Sequence, residues 1–274
     1  MPSFITRHLV NNKFRYKSAT EGDKLRIKSL RIPPMWTDVR IDKSEKAKIQ
    51  AIGYDAKGRK QYIYHKDFVE KAKRKKFKKM KTFDYEMYSR VLRKYISRKD
   101  LSRDCVVANV IKIMEDLCIR PGGDAYEKEN GSHGVCTMLK IHYKNGKLTF
   151  VGKKGITHDK TITNPKSMDF ISRVLKISGT YLFYDASGSR VHSSDLNEFL
   201  RTKVQSDITC KDIRTYCANK IFRTFMDKSK KGTTEKERKS NVIKGIDHTA
   251  EHLGNTRKVC KDSYLCPNVI SKYM

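Results

Sequence analysis

Acidic residues are scarce in this 274-residue chain: thirty Asp and Glu stand against sixty Lys and Arg, leaving a formal charge of +30. That imbalance is too large for an ordinary solvated surface and implies a polyanionic partner. Long apolar runs are missing as well. No stretch approaches the roughly 20 apolar residues of a membrane span and no secretory signal opens the chain, so nucleic acid is favoured over a membrane surface. The protein is expected to be soluble and intracellular. Closely paired cysteines are also absent. The seven (Cys105, Cys118, Cys136, Cys210, Cys217, Cys260 and Cys266) are scattered, and the eight histidines do not cluster beside them. Reduced, mostly buried thiols and no metal site are expected. The chain lacks a G-x-x-x-x-G-K-[ST] phosphate loop, an internal repeat and any extended low-complexity tract.

What is present reads as an α+β protein of two domains, a length sufficient for each to bury a core. Residues 1–70 hold short alternating segments such as Ala51–Tyr54 and Gln61–Tyr64, which predict a small β-rich domain. A basic linker is expected over 71–85, where eight Lys or Arg fall between Lys71 and Lys81. Residues 86–274 read as mainly helical with a small antiparallel sheet. Val106, Val107, Val110, Ile111, Met114 and Leu117 space an amphipathic core helix, expected to run until Pro121-Gly122-Gly123 stops it and to present Arg120 at its end. Thr137–Tyr143 and Lys147–Val151 flank Lys144-Asn145-Gly146, a hairpin signature. A second turn at Gly152–Gly155 would carry Lys153 at the tip of the sheet. Thr209-Cys210-Lys211-Asp212 has the hydroxyl-x-x-acid pattern of a capped helix start, placing Arg214 near the first turn. The Lys- and Thr-rich stretch from Asp227 to Ser240 reads as mobile or weakly helical, ahead of a final helical segment around Thr249–Leu253.

Separated segments of this chain resemble the poxvirus-like and bacterial branch of the type IB DNA topoisomerases. Ile32-Pro33-Pro34-Met35-Trp36-Thr37-Asp38-Val39 is similar to the family's I-P-P-x-W-x-x-V, and Asp55–Tyr62 resembles its D-x-K-G-R-x-Q-Y. Ile119-Arg120, Tyr126–Asn130 and Gly134 follow in the order found around its first catalytic arginine. Lys211-Asp212-Ile213-Arg214-Thr215 resembles the K-D-x-R-T of the second, and Val259–Tyr264 the segment bearing the nucleophilic tyrosine.

The resemblance implies a tyrosine recombinase/topoisomerase IB-like fold and an enzyme that relaxes duplex DNA without ATP, metal or cofactor. Tyr264 would attack a backbone phosphorus and hold a 3′-phosphotyrosyl ester. Arg120 and Arg214 would bind the charged transition state in fork geometry, and Lys153 would protonate the departing 5′-oxygen. Lys57, Arg59, Gln61, Tyr62 and Tyr64 are expected to meet the DNA from the amino-terminal sheet, Tyr62 and Tyr64 from the same face. Tyr126 and Lys211 would contact the backbone near the cleaved phosphate. A monomer clamping double-stranded DNA follows, in a large DNA virus or a bacterium; if viral, it would act in the virion and at the host-cell site of viral DNA replication.

Two departures stand out. The family's L-G-H-T reads Leu253-Gly254-Asn255-Thr256 here, so Asn255 would donate to phosphate through an amide that carries no charge. Only ten residues follow Tyr264, which would leave it beside a mobile chain end. A tyrosine recombinase and a catalytically weakened DNA-binding protein remain as alternatives.

Overall fold

The computed structural model describes residues 4–274 and divides into two compact units, the first ending at Lys78 and the second running from Lys79 to Met274. The first three residues of the expected β-rich segment lie outside the described residues. In the first unit, β1 (Phe4–Val10), β2 (Lys13–Lys17), β3 (Thr37–Asp42), β4 (Ile49–Tyr54) and β5 (Lys60–Tyr64) pair antiparallel in the order β2-β1-β3-β4-β5. Asn11 and Asn12 join the first two at φ 49° and 58°, the left-handed pair that a tight hairpin requires. The helix α1 (Glu21–Leu30) opens on a Thr20–Asp23 capping box and buries Ile27 against Ile5, Val39, Ile41 and Ala51. The I-P-P-x-W segment has a physical anchor in Arg7, whose guanidinium donates to the carbonyls of Pro33, Pro34 and Trp36. A Cβ at Gly53 would lie 2.8 Å from the Trp36 ring, so only glycine lets the indole rest on β4.

The basic run is helical: α2 (Lys66–Lys81) carries it without a buried residue. Its end is tied down in the second unit, where Lys79 pairs with the buried carboxylate of Asp212 at 2.7 Å. That unit continues through α3 (Tyr85–Ile96), α4 (Arg103–Asp116), α5 (Asp124–Asn130), the sheet strands β6 (Tyr143–Lys144), β7 (Lys147–Val151) and β8 (Thr157–Thr161), α6 (Pro165–Val174) and α7 (Ser193–Phe199). It closes with α8 (Cys210–Lys228), α9 (Glu235–Leu253), α10 (Arg257–Ser263) and α11 (Pro267–Ser271). Its core is one continuous cluster built around α4, with Phe170, Phe183 and Phe222 fully buried. Each such ring stabilises the fold by about 2–3 kcal/mol.

Four expectations need correction. The core helix stops at Asp116 rather than at the prolyl turn, because Cys118 adopts φ 50° and Ile119 N–H turns back to Met114 O at 3.2 Å. Thr137–Tyr143 is mostly two short 3₁₀ turns, and only Tyr143 and Lys144 pair with β7. The helices α8 and α9 occupy most of Asp227–Ser240, since Thr234 and Glu237 form a reciprocal cap that starts α9 firmly. The segment after Tyr264 is packed: Leu265 and Val269 are buried, and the Tyr273 hydroxyl donates to Asp227 at 2.6 Å. The seven cysteines are free, six of them buried.

Candidate active site

Four sequence-predicted side chains meet in the second unit, each delivered by a different local device. Arg120 lies on the loop after α4. Val135 and Cys136 N–H donate to the carbonyls of Arg120 and Pro121 at 2.8 Å each. Gly134 lies so close beneath that a Cβ there would sit 2.4 Å from Gly122 N and 2.6 Å from Arg120 O. The glycine motif thus serves backbone approach, holding the loop in place under its arginine. Arg214 is in the first turns of α8, which opens as expected: Thr209 N–H and hydroxyl both donate to Asp212, at 3.0 and 2.6 Å. Gly254 ends α9 at φ 58°, with Asn255 N–H bonded to Ala250 O at 2.9 Å, and this corner aims Asn255 inward. Tyr264 caps the end of α10, its N–H on Cys260 O at 3.0 Å.

Arg214 is the hub. It is 3% exposed, and its guanidinium donates to Cys118 O and, at 2.5 Å, to Leu253 O, linking the Arg120 loop to the Asn255 corner. Its Cζ lies 5.4 Å from the centre of the Tyr264 ring. Burial and the neighbouring Arg120 charge lower its pKa, against an opposing pull from Tyr264. Arg120 donates to Asn255 Oδ1 at 2.7 Å. Two donors there are buried without a hydrogen-bond partner among the described residues, Arg214 Nε and Asn255 Nδ2. Unsatisfied buried donors are costly, and here they surround an excess of positive charge, an arrangement suited to an anionic oxygen.

Lys153 is at the turn between β7 and β8, exposed and followed by Lys154 at φ 66°. Tyr126 on α5 is 57% exposed, and Lys211 is exposed on the first turn of α8. In the first unit, Tyr62 and Tyr64 share the exposed face of β5, stacked with ring centres 6.0 Å apart. The Lys57–Gln61 group is organised by a residue absent from the candidate set, Asp55. Its carboxylate accepts from Lys57 N–H, from Arg59 Nε and from Gln61 Nε2, each at 2.9 Å. The bonds from Arg59 and Lys57, the Arg59 side chain foremost, hold its pKa down to about 2.

Two further residues escaped sequence reasoning. Asn219 on α8 donates to Tyr264 O at 2.8 Å and accepts from Cys266 N–H at 2.9 Å, pinning the backbone on both sides of the tyrosine. His158 on β8 is 8% exposed, and burial together with the charges of Lys160, Arg214 and Arg120 lowers its pKa to about 4. The unfolded chain, with an ordinary histidine near 6.5, binds a proton that the folded protein refuses. Stability from this group is therefore complete above about pH 6.5 and is lost as pH falls towards 4, by about 3 kcal/mol. Urea unfolding across that range should show the loss, and His158→Gln should flatten that part of the profile; an unchanged slope would mean another group titrates.

Among the described residues no cluster of His, Cys, Asp or Glu is arranged to hold a metal ion, and no helix is long and apolar enough to cross a membrane. A family model for the eukaryotic DNA topoisomerase I catalytic core matches residues 60–273, and one for the bacterial DNA topoisomerase IB amino-terminal domain matches residues 13–55. DNA topoisomerase 1B of Acanthamoeba polyphaga mimivirus is 31% identical over 99% of this chain and 90% of its own length. DNA topoisomerase 1B of Vaccinia virus (strain Copenhagen) is 27% identical over 89% of this chain and 80% of its own. A solved structure of XerA recombinase overlaps 69% of this chain and 61% of its own at a TM-score of 0.43 and 10% identity, a likeness too slight to decide anything. With both units matched and the viral enzyme aligned almost end to end, the chain belongs to the type IB DNA topoisomerase family, and is an isomerase of DNA rather than a recombinase.

Proposed function

We propose that this enzyme relaxes supercoiled duplex DNA through a transient nick at Tyr264. The Tyr264 oxygen loses its proton to water and attacks a backbone phosphorus. The bond to the 5′-oxygen breaks, Lys153 supplies that oxygen with a proton, and a 3′-phosphotyrosyl ester remains. The helix swivels about the intact strand, and the 5′-hydroxyl then attacks the ester and frees the tyrosine. The ester conserves the energy of the broken bond, so no ATP is required. The observation that carries this reading is the pair of unpartnered buried donors, Arg214 Nε and Asn255 Nδ2, beside Arg120 and the Tyr264 ring. In a site shielded from water, such donors stabilise the charge that develops on non-bridging oxygens.

The DNA is engaged by a monomer whose two units close on the duplex. Lys57, Arg59, Gln61, Tyr62 and Tyr64 meet it from the amino-terminal sheet, and Tyr126 and Lys211 hold the backbone near the cleaved phosphate. With a charge of +30, most of the affinity is electrostatic and falls steeply with salt. The domain division we favour is a clamp of residues 1–70, a basic connector over 71–85 and a catalytic domain over 86–274. The viral relatives support action inside an infected cell, where viral DNA is copied.

Incubating the protein with negatively supercoiled plasmid in EDTA without ATP should give relaxed circles and, on adding denaturant, a covalent protein–DNA adduct. DNA binding without either product would favour the catalytically weakened reading, for which Asn255 in place of histidine is the specific argument. Asn255→Ala should slow single-turnover cleavage by about 100-fold, as loss of one transition-state donor does. Asn255→His should match or exceed the natural residue, because an imidazole N–H can donate to the phosphate oxygen as the amide does. If alanine cleaves at the natural rate, Asn255 has no phosphate role.

A further inference from the structure

The chemistry above leaves His158 without a task, yet its ring touches both segments that carry reacting groups. The imidazole stacks on Phe150 of β7, ring centres 5.0 Å apart and planes 23° from parallel. A Cβ on Gly152, the residue before Lys153, would fall 2.6 Å from this ring; a Cβ on Gly254, the residue before Asn255, would fall 2.2 Å from it. Gly254 needs to be glycine for its left-handed φ as well. Gly152 does not: at φ −97° any residue is comfortable, so the histidine ring is what excludes a side chain there. The two glycines are the walls of a slot that His158 fills.

We propose that His158 is a positioning residue, a flat spacer that sets the separation between the Lys153 turn and the Asn255 corner, and so holds the general acid in register with the transition-state donors. The proposal rests on the roles given above to Lys153 and Asn255. The groups facing the ring fit a spacer that carries no charge. Lys160 lies on its own strand, Arg214 comes from α8 and Arg120 from the loop after α4, and burial first, then these charges, keep the imidazole neutral at ordinary pH. A protonated ring would add one more cation to a site already rich in them. Lys160 also bonds to His252 O at 2.7 Å, fastening β8 to α9 beside the wedge.

The test is single-turnover cleavage and duplex affinity for the unaltered protein, His158→Ala, Gly152→Ala and the double variant, with thermal melting to confirm folding. Each DNA is made in two forms, one with the ordinary 5′-oxygen leaving group and one with sulfur, which departs without being protonated. Each single substitution should slow cleavage of the oxygen substrate about 10- to 100-fold, the cost of slight misplacement, with affinity unchanged. Gly152→Ala should cost nothing further once His158 is alanine, because the side chain it collides with is gone. Sulfur should restore most of the lost rate. Natural-rate cleavage by His158→Ala overturns the proposal, as does a loss equal for oxygen and sulfur, which would mean general damage. No adduct from the unaltered protein would sink the site assignment itself, a result distinct from an active enzyme indifferent to His158.

Discussion

Tyr264→Phe should bind duplex DNA with unchanged affinity, stay folded, and form no covalent adduct. The backbone of the residue is held in place independently of its oxygen: Asn219 grips its carbonyl at 2.8 Å, its N–H is bonded to Cys260 O, and its ring lies beside Arg214. Phenylalanine keeps all three relations. What it loses is the attacking oxygen together with that oxygen's hydrogen bond to Arg214, and without an attacking group the expected drop in cleavage is about 10⁵-fold or more. Plasmid relaxation and denaturant-trapped adduct are the two readouts, and both should vanish together. The chain has fourteen tyrosines. Persistent adduct in the phenylalanine variant would move the nucleophile to another of them and dismantle the site proposed around Arg214.

The second large effect belongs to Arg214 and separates charge from geometry. Its guanidinium bonds two backbone carbonyls, Cys118 O and Leu253 O, and still has Nε unpartnered. A lysine in its place keeps the charge but concentrates its donors at one point, so it cannot span both carbonyls and also reach a phosphate oxygen. Arg214→Lys should slow cleavage by about 100- to 1,000-fold, equivalent to about 2.7–4 kcal/mol of transition-state stabilisation. Arg214→Ala should be slower still. It should also lower folding stability by about 2–4 kcal/mol, because two buried carbonyls lose their donor and a cavity opens. Single-turnover cleavage and urea unfolding measure the two losses independently. Near-normal cleavage by the lysine variant would show that fork geometry at this position is irrelevant to the chemistry.

The particulars legible in the sequence share a property: each is decided within a few residues. The alternation that exposes Tyr62 and Tyr64 together is the two-residue period of a strand. The cap at Thr209 and Asp212 and the glycine turn that carries Lys153 each span four residues. The errors have the same origin in reverse. Thr137–Tyr143 has strand-like residues but finds no long partner strand, and a strand without one does not persist. Asp227–Ser240 looks weak by composition, yet a cap at Thr234 and packing of Val242 and Ile246 into the core make it helical.

The amino-acid sequence by itself determined that the partner is a polyanion, that the chain has the ordered motifs of its family, and which tyrosine and arginines are the candidates for chemistry. Those follow from charge, residue type and order, which exist before folding. The tertiary structure alone decided how they meet. Arg120 reaches Asn255 across 135 positions and Arg214 reaches Cys118 O across 96. Asn219 pins the backbone around Tyr264, and His158 fills the slot between two glycines. None of these has a local signature, because a hydrogen bond or van der Waals contact acts over a few ångströms of space, whatever length of chain lies between its partners.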